Sequence, residues 1–600
     1  MAFGASFREV PKPIQPDQFL ALANVQAEKF FRKLKLTDHY GVMSSRKRRK
    51  LYFPSPAPAP DSKNEHLIEY IEDTKKLLNE NLAKVNDKFV ALEYMKRVSK
   101  PSRKIQQLIS HLLRHEYVVT KADKNLGMCV VKKSSYHHLL TGYLESAAFQ
   151  EISRQHALAL RTRTRTQLRV LFDMLFPEDE EGKRDNLHAY CLHTPKEEDA
   201  TFIKPYLLLK VHKLKPGELK DGKLPPPRLL APCMNTVTEG ISRVIDAELY
   251  PIYKRANEDD LADSAQLIRA IENSRFPSSC SFATEDIKAM YPSIPVASGI
   301  EKFKAFLEEH GSGRFQIDHI VNALNLILRR SVFEFDNRWF LQIVGTAMGT
   351  PVACLFANIY VFMTERRLVQ NAKANGTLLL YKRLVDDIVA VFTCAQANRA
   401  FWDDWNQLDD ALELSGHISN QEIVMLDLRI YKGPRFYTTG ILDISLYQKP
   451  YNRYAYIPGN SHHPKASKVA WMNAELTRFV RNNSDFNAYL KDRDNFTQRL
   501  LARNYPPQWI INACRKVKYN DRTEFLTPRE AKRRGPQPQN PVFVATYTPQ
   551  WKHANIGTVC NTYWKRFTEN SQKNWPLAKP VIAFKSTPNL FARLRKLLPF

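Results

Sequence analysis

Two adjacent carboxylates, Asp386 and Asp387, stand between apolar, β-prone arms in Tyr381-Lys-Arg-Leu-Val-Asp-Asp-Ile-Val-Ala-Val-Phe392. A buried strand does not tolerate neighbouring acids unless they fall at a turn and meet a counter-charge. The stretch therefore predicts a strand-turn-strand with paired oxygen ligands at its tip, at a sheet edge, suited to a divalent cation such as Mg²⁺. Other acidic pairs constrain less. Asp403-Asp404 and Asp409-Asp410 lie in an amphipathic helical pattern, where acids cap ends and face solvent.

Such a pair needs a third ligand. Residues 282–295 read FATEDIKAMYPSIP, in which Asp286 ends an apolar strand from Cys280 and opens a turn into a helix, with Tyr291 and Pro292 following. An acid at a strand end about a hundred residues before an Asp-Asp hairpin is the arrangement of a two-metal nucleotidyl transferase, in which paired ions activate a 3′-hydroxyl and stabilise departing pyrophosphate. Asp286 and Asp386 would face both ions, and Asp387 would ligate more loosely or orient its neighbours. Between them, in Gln342-Ile-Val-Gly345-Thr-Ala-Met-Gly349-Thr-Pro351, two glycines four apart precede a helix from about Val352. They allow close backbone approach to a ligand or template base.

Charge narrows the partners. The 600 residues carry 89 Lys and Arg against 62 Asp and Glu, a net +27, which points to a polyanion, either nucleic acid or an anionic membrane. The uncharged run Ile343–Met363 is long enough for a hydropathy window, but Gly345, Gly349, Pro351 and Asn358 interrupt it. A loop leading into a buried helix fits better than a span, and the N-terminus lacks a signal-peptide core. Eight scattered cysteines without a C-x-x-C pair argue for a reducing compartment and against a zinc module.

The chain divides into four segments. Residues 1–100 read as an appendage: RKRRK at 46–50, a proline-rich linker at 53–60, then helical periodicity from Asn64 to about Lys100. The basic cluster reads equally as a nuclear import signal or phosphate-binding patch and as a solvated charge run. Residues 101–280 mix helices with short strands and include Arg161-Thr-Arg-Thr-Arg-Thr, which either tracks a phosphate backbone or forms a charged helix face. Residues 281–450 hold the strand-rich stretches 280–284, 338–344, 381–392 and 424–431, an α+β layer. Residues 451–600 are helical and basic, with 18 Lys and Arg against 4 Asp and Glu in the last hundred. Trp509, Trp551, Trp564 and Trp575 are interleaved there, either as a base-stacking surface or as helical core.

These motifs together resemble the reverse transcriptase of Penelope-like retroelements. DIKAMYPSIP (286–295), GTAMGTPVACLFANIYV (345–361) and LVDDIVAVF (384–392) are similar to its catalytic and template-positioning motifs. TKADKNLGMCVV (120–131), YLLLKVHK (206–213), the loop arginine Arg228, TEGISRVID (238–246), LDLRIYK (426–432), LYQKP (446–450), SHHP (461–464), PVFVATYTP (541–549) and KPVIAFKSTPNL (579–590) extend the likeness in collinear order from about residue 100 onward. No GIY or YIG tripeptide occurs, so the chain resembles the endonuclease-lacking branch, related to telomerase.

The resemblance implies an α+β right-hand polymerase: fingers and the start of the palm over 101–280, an antiparallel palm sheet over 281–450, and a thumb with a basic nucleic-acid-binding region over 451–600. It implies that Asp286, Asp386 and Asp387 bind two Mg²⁺ ions, with Mn²⁺ a possible substitute. Tyr291 would be the steric gate against a 2′-hydroxyl, Arg228 and Lys210 would neutralise the dNTP triphosphate, and Gly345 and Gly349 would lie against the nascent pair. Met348 stands where many other reverse transcriptases have Gln, though the resemblance implies that Met is usual in this family; Cys354 and Leu384 replace a Pro and an aromatic often found at those positions. The expected activity is RNA-directed DNA polymerisation in the nucleus, on an RNA template, from a DNA primer or chromosomal 3′ end, with no membrane partner. The alternatives are a catalytically silent nucleic-acid-binding protein on the same fold, and an RNA-dependent RNA polymerase.

Overall fold

The apolar arms around Asp386-Asp387 do form a hairpin, and the rest of the fold is arranged about it. The computed structural model describes residues 6–9, 11–40, 59–97, 101–182, 184–195, 198–215, 218, 222–450, 452–527, 540–571, 577–585 and 588–595. The RKRRK cluster and Trp575 lie outside them.

Short strands come first. β1 (Tyr117–Lys121) pairs with β2 (Met128–Lys132), β3 (Phe149–Ile152) waits for a later partner, and β4 (Tyr206–Leu209) pairs with β5 (Pro227–Leu230), all antiparallel. An Ala122–Leu209 bridge and a hydrogen bond from Thr120 Oγ1 to the Leu207 carbonyl (2.7 Å) join the two hairpins side by side.

The central sheet begins with β6 (Ser281–Lys288). β7 (Val332–Phe335) and β8 (Arg338–Gln342) form a separate hairpin that takes β3 on its other edge. β9 (Leu378–Leu384), β10 (Asp387–Phe392) and β11 (Glu413–Ser419) join β6 in the antiparallel order β11-β6-β10-β9. Along β10, Ile388, Ala390 and Phe392 enter one core while Val389 and Val391 enter another, so both faces are covered and the run reads as continuously apolar. The first core is filled by helices, among them Ala353–Ala374, which is buried almost all round. That helix and the loop before it account for the uncharged run, and among the described residues no helix is long and apolar enough to cross a membrane. On the other face lie the helix Ser264–Glu272 and a second antiparallel sheet of β12 (Glu422–Met425), β13 (Leu428–Tyr431) and β14 (Asp443–Leu446).

Residues 465–516 form three helices, Lys465–Asn482, Phe486–Leu501 and Pro507–Lys516, around Phe479, Phe496 and Tyr505. Beyond them, β15 (Val542–Thr546) and β16 (Val581–Lys585) pair in parallel.

The division at residues 100 and 451 separates segments that pack together. The helices Pro16–Tyr40 and Glu65–Ala83 share one core with β15 and residues 551–567, so the first hundred residues are not an appendage. Phe30 meets Phe543, Tyr70 meets Trp564, and the Tyr70 hydroxyl donates to the Cys560 carbonyl at 2.7 Å. Trp551 and Trp564 are therefore core residues rather than a stacking surface. Asp409 also departs from the solvated-face reading: it accepts from Lys302 Nζ (2.6 Å) and the Tyr360 hydroxyl (2.7 Å). All eight cysteines are free.

Candidate active site

A two-residue connection, Val385-Asp386, closes the hairpin of β9 and β10, with Leu384 opposite Asp387. Val385 holds φ +61, a conformation that a β-branched residue adopts only under strain. The turn is braced from below. Arg383 is fully buried and donates through Nη1 to the Val385 carbonyl (2.9 Å) and Asn358 Oδ1 (3.0 Å), while its Nε meets Glu365 Oε1 at 2.9 Å. From the side, the Ile287 amide donates to the Asp386 carbonyl at 3.0 Å.

That bond sets the register of β6, which places Asp286 directly across from Asp387. Burial raises the Asp387 carboxyl to about 6, helped by repulsion from Asp386 and Asp286. Asp286 is raised as well, by burial and then by Asp386. The three acids thus lie within electrostatic reach of one another, although Asp286 is a hundred residues from the other two in the chain. Their oxygens are hard donors of the kind Mg²⁺ and Mn²⁺ take. Among the described residues, no group of three or more His, Cys, Asp and Glu is placed to hold a metal ion.

Cations face these acids from four places in the chain. Lys124, Lys213 and Arg228 pull the Asp286 carboxyl down, and Lys124 and Lys449 do the same for Asp387. Lys124 stands in the turn after β1 at φ +57, Lys213 follows β4, and Lys449 follows β14. Arg228, read as a loop residue, is instead in β5 and lies 3.5 Å from the buried Asp123. Lys210 belongs to the same cluster: burial, and then repulsion from Arg228, lowers its ammonium. His212 is lowered too, first by burial. Reading the sequence singled out Arg228 and Lys210 but not Lys124, Lys213, Lys449 or Asp123, although all four lie in segments that carry the resemblance. Lys432 sits elsewhere, bound to the carbonyls of Ser278 (2.7 Å) and Cys280 (2.8 Å) beyond the far end of β6.

Tyr291 borders the acids. It lies in the short helix Met290–Ser293, with its phenol raised by burial, by Cys354 and by the charge of Asp386. Its carbonyl accepts from the Thr346 amide at 2.9 Å. Gly345, at φ +74, has the Pro292 backbone where a side chain would be: a Cβ would come 2.5 Å from Pro292 Cα. A Cβ on Gly349 would come 2.3 Å from the Ala231 carbonyl oxygen, and the Ala231 amide donates to the Met348 carbonyl at 2.8 Å. Both glycines are thus required by contact within the protein. The loop they frame ties Tyr291 on one side to the end of β5 on the other.

Compared with known proteins, residues 455–516 match the animal helix-turn-helix domain family, over the three helices of 465–516. No curated protein matches the chain. Among solved structures it is similar to telomerase from Candida albicans in complex with a fragment of telomeric RNA, at 11% identity and TM-score 0.46, over 77% of this chain and 72% of that one. It is similar to the corresponding Candida tropicalis complex at 10% identity and TM-score 0.41, over 97% and 91%. It is also similar to the BmCPV RNA-dependent RNA polymerase at elongation, at 9% identity and TM-score 0.32, over 61% and 33%.

Proposed function

We propose that the chain is a template-dependent nucleotidyl transferase, an RNA-directed DNA polymerase of the Penelope-like kind acting in the nucleus. The observation that carries this reading is the pairing of Asp286 with Asp387 across β6 and β10, with a cluster of Lys and Arg opposite. Mutually repelling carboxylates facing cations suit a ligand that is itself a dication joined to a polyphosphate.

Asp286, Asp386 and Asp387 would hold Mg²⁺ or Mn²⁺, which when bound lowers the pKa of a coordinated hydroxyl and neutralises charge on phosphoryl oxygens. Lys124, Lys210, Lys213, Arg228 and Lys449 bind the triphosphate by charge-assisted hydrogen bonds and keep pyrophosphate charge balanced as it leaves. Arg383 keeps the acidic turn in place, and the loop at Gly345–Gly349 fixes the backbone of Tyr291. The Tyr291 ring lies beside Asp386, where the sugar of an incoming nucleotide is closed off at its 2′ position.

Primer extension by the purified chain, on RNA and DNA templates with dNTPs and NTPs in parallel, tests this. Incorporation of dNTPs on RNA is expected, with loss in Asp386→Asn and gain of ribonucleotide use in Tyr291→Ala. Equal incorporation by wild type and Asp386→Asn removes the proposed chemistry. Salt-sensitive binding without incorporation on any template favours a silent binding protein, and wild-type preference for NTPs favours an RNA-dependent RNA polymerase.

A further inference from the structure

The alternating arginines at 161–165 are left unused by the site above. They lie on the helix Arg154–Leu175, whose residues 154–172 contain five Arg and no Asp or Glu. Arg330, just beyond the helix Ile317–Leu328, reaches across to this helix and donates to Thr164 Oγ1 (3.3 Å) and Gln167 Oε1. Arg161 donates to the Ala200 carbonyl (3.1 Å) and stacks over Phe202, 4.9 Å from its centroid. These partners are neutral, so the charge is oriented without being cancelled. Arg330 is lowered by burial and then by repulsion from Arg163, the strain of crowded guanidinium groups.

The crowding has a direction. Arg161 and Arg330 line a small cavity with the hydroxyl residues Thr201, Thr236 and Ser331, and a second cavity follows, lined by Arg165 and Arg169. Val237 borders both. Arginines four residues apart are spaced about 6 Å along a helix axis, comparable to the step between phosphates of an extended strand. Arginine rather than lysine suits forked recognition of phosphate oxygens.

We propose that the arginine face of the helix Arg154–Leu175, together with Arg330, is a second nucleic-acid contact that grips the phosphate backbone of a single strand outside the acidic cleft. It requires no catalysis, so it stands or falls separately from the polymerase reading.

The test is binding of a fluorescein-labelled 30-nucleotide uridine RNA, and of the matching DNA, to the full chain from 50 to 300 mM KCl. It is run in the wild-type and the Asp386→Asn chains, so that loss of binding and loss of chemistry are read apart. For Arg165→Gln/Arg169→Gln/Arg330→Gln, the slope of log affinity against log salt is expected to fall by about 2, since each lost contact to a single strand removes roughly 0.7. Affinity should drop at least about tenfold, and the corresponding triple Lys variant should restore most of the slope. Protection of these three arginines from phenylglyoxal by bound RNA, read by mass spectrometry in the wild-type chain, supplies a measurement independent of variant folding. An unchanged slope and affinity, or modification unaffected by RNA, overturns the proposal. So does loss of binding to phosphatidylserine vesicles with RNA binding intact, which would assign the face to a membrane surface.

Discussion

Arg383 donates to the carbonyl of Val385, joining a guanidinium with no solvent exposure to a strained residue one position before the acidic pair. Its counter-charge Glu365 is buried too and also accepts from the Tyr381 hydroxyl (2.7 Å) and Trp405 Nε1 (3.3 Å). Removing one partner of such a pair leaves the other charged and unpaired in the interior. Arg383→Met is therefore expected to cost about 3–5 kcal/mol of stability. Adding Glu365→Gln should return part of that loss. Chemical denaturation of the two single variants and the double variant, closed as a cycle, checks both statements.

Gly345 and Gly349 should resist even the smallest side chain, because what stands in the way is backbone. Gly345→Ala and Gly349→Ala are each expected to destabilise by roughly 1–3 kcal/mol and to displace the loop that fixes Tyr291. Gly376 shares the positive φ of Gly345 (+74 in both) but has open space around it, so Gly376→Ala should cost only about 1 kcal/mol. Thermal unfolding of the three variants side by side separates contact from conformation.

Asp387 is held at about 6, above its ordinary value, by burial and its two acidic neighbours. A carboxyl raised on folding weakens the fold when ionised, and that penalty fades as pH falls through about 6. Asp387→Asn should therefore melt at a higher temperature than wild type at pH 7.5, with the gap closing toward pH 5. Nucleotide incorporation should be lost in the same variant. A lower melting temperature at pH 7.5 would show that the acids are not in mutual repulsion.

The segment at Arg8 carries a second pH dependence of opposite sign. Arg8 Nε donates to His463 Nε2 at 2.9 Å, which requires a neutral ring protonated on Nδ1, beside Ser461 Oγ at 3.0 Å. Burial and then Arg8 push His463 down to about 4. A histidine lowered on folding contributes stability that is complete above its ordinary value near 6.5 and is lost as pH falls toward 4. The protection factor of the His462 amide, whose N–H donates to the Arg8 carbonyl at 2.9 Å, should therefore fall across that window once the intrinsic pH dependence of exchange is divided out. His463→Phe should remove the dependence.

The acidic turn is legible in the sequence because its chemistry is local: two acids between β-prone arms have few other places to go. Asp286 is legible for the same reason, and the strand pairing that brings it to Asp387 follows the apolar patterns on either side. Lys124, Lys213 and Lys449 are not, since nothing in their own neighbourhoods tells that three separated segments will converge. Trp551 and Trp564 stay ambiguous in the sequence because a basic helical segment with aromatics reads the same way whether its rings face bases or an N-terminal helix. Asp409 looks like a solvated acid until Lys302 and Tyr360 arrive from elsewhere in the chain. In each case the missing information is tertiary.

The core shared by the helix Pro16–Tyr40 with β15 and residues 551–567 has a consequence for how this chain is made. During synthesis that helix emerges about five hundred residues before the strand it needs, and its apolar face must be shielded meanwhile. A ribosome stalled anywhere in the intervening stretch holds Phe30 without its ring partner Phe543. Chaperone capture of such nascent chains should end only when β15 clears the exit tunnel.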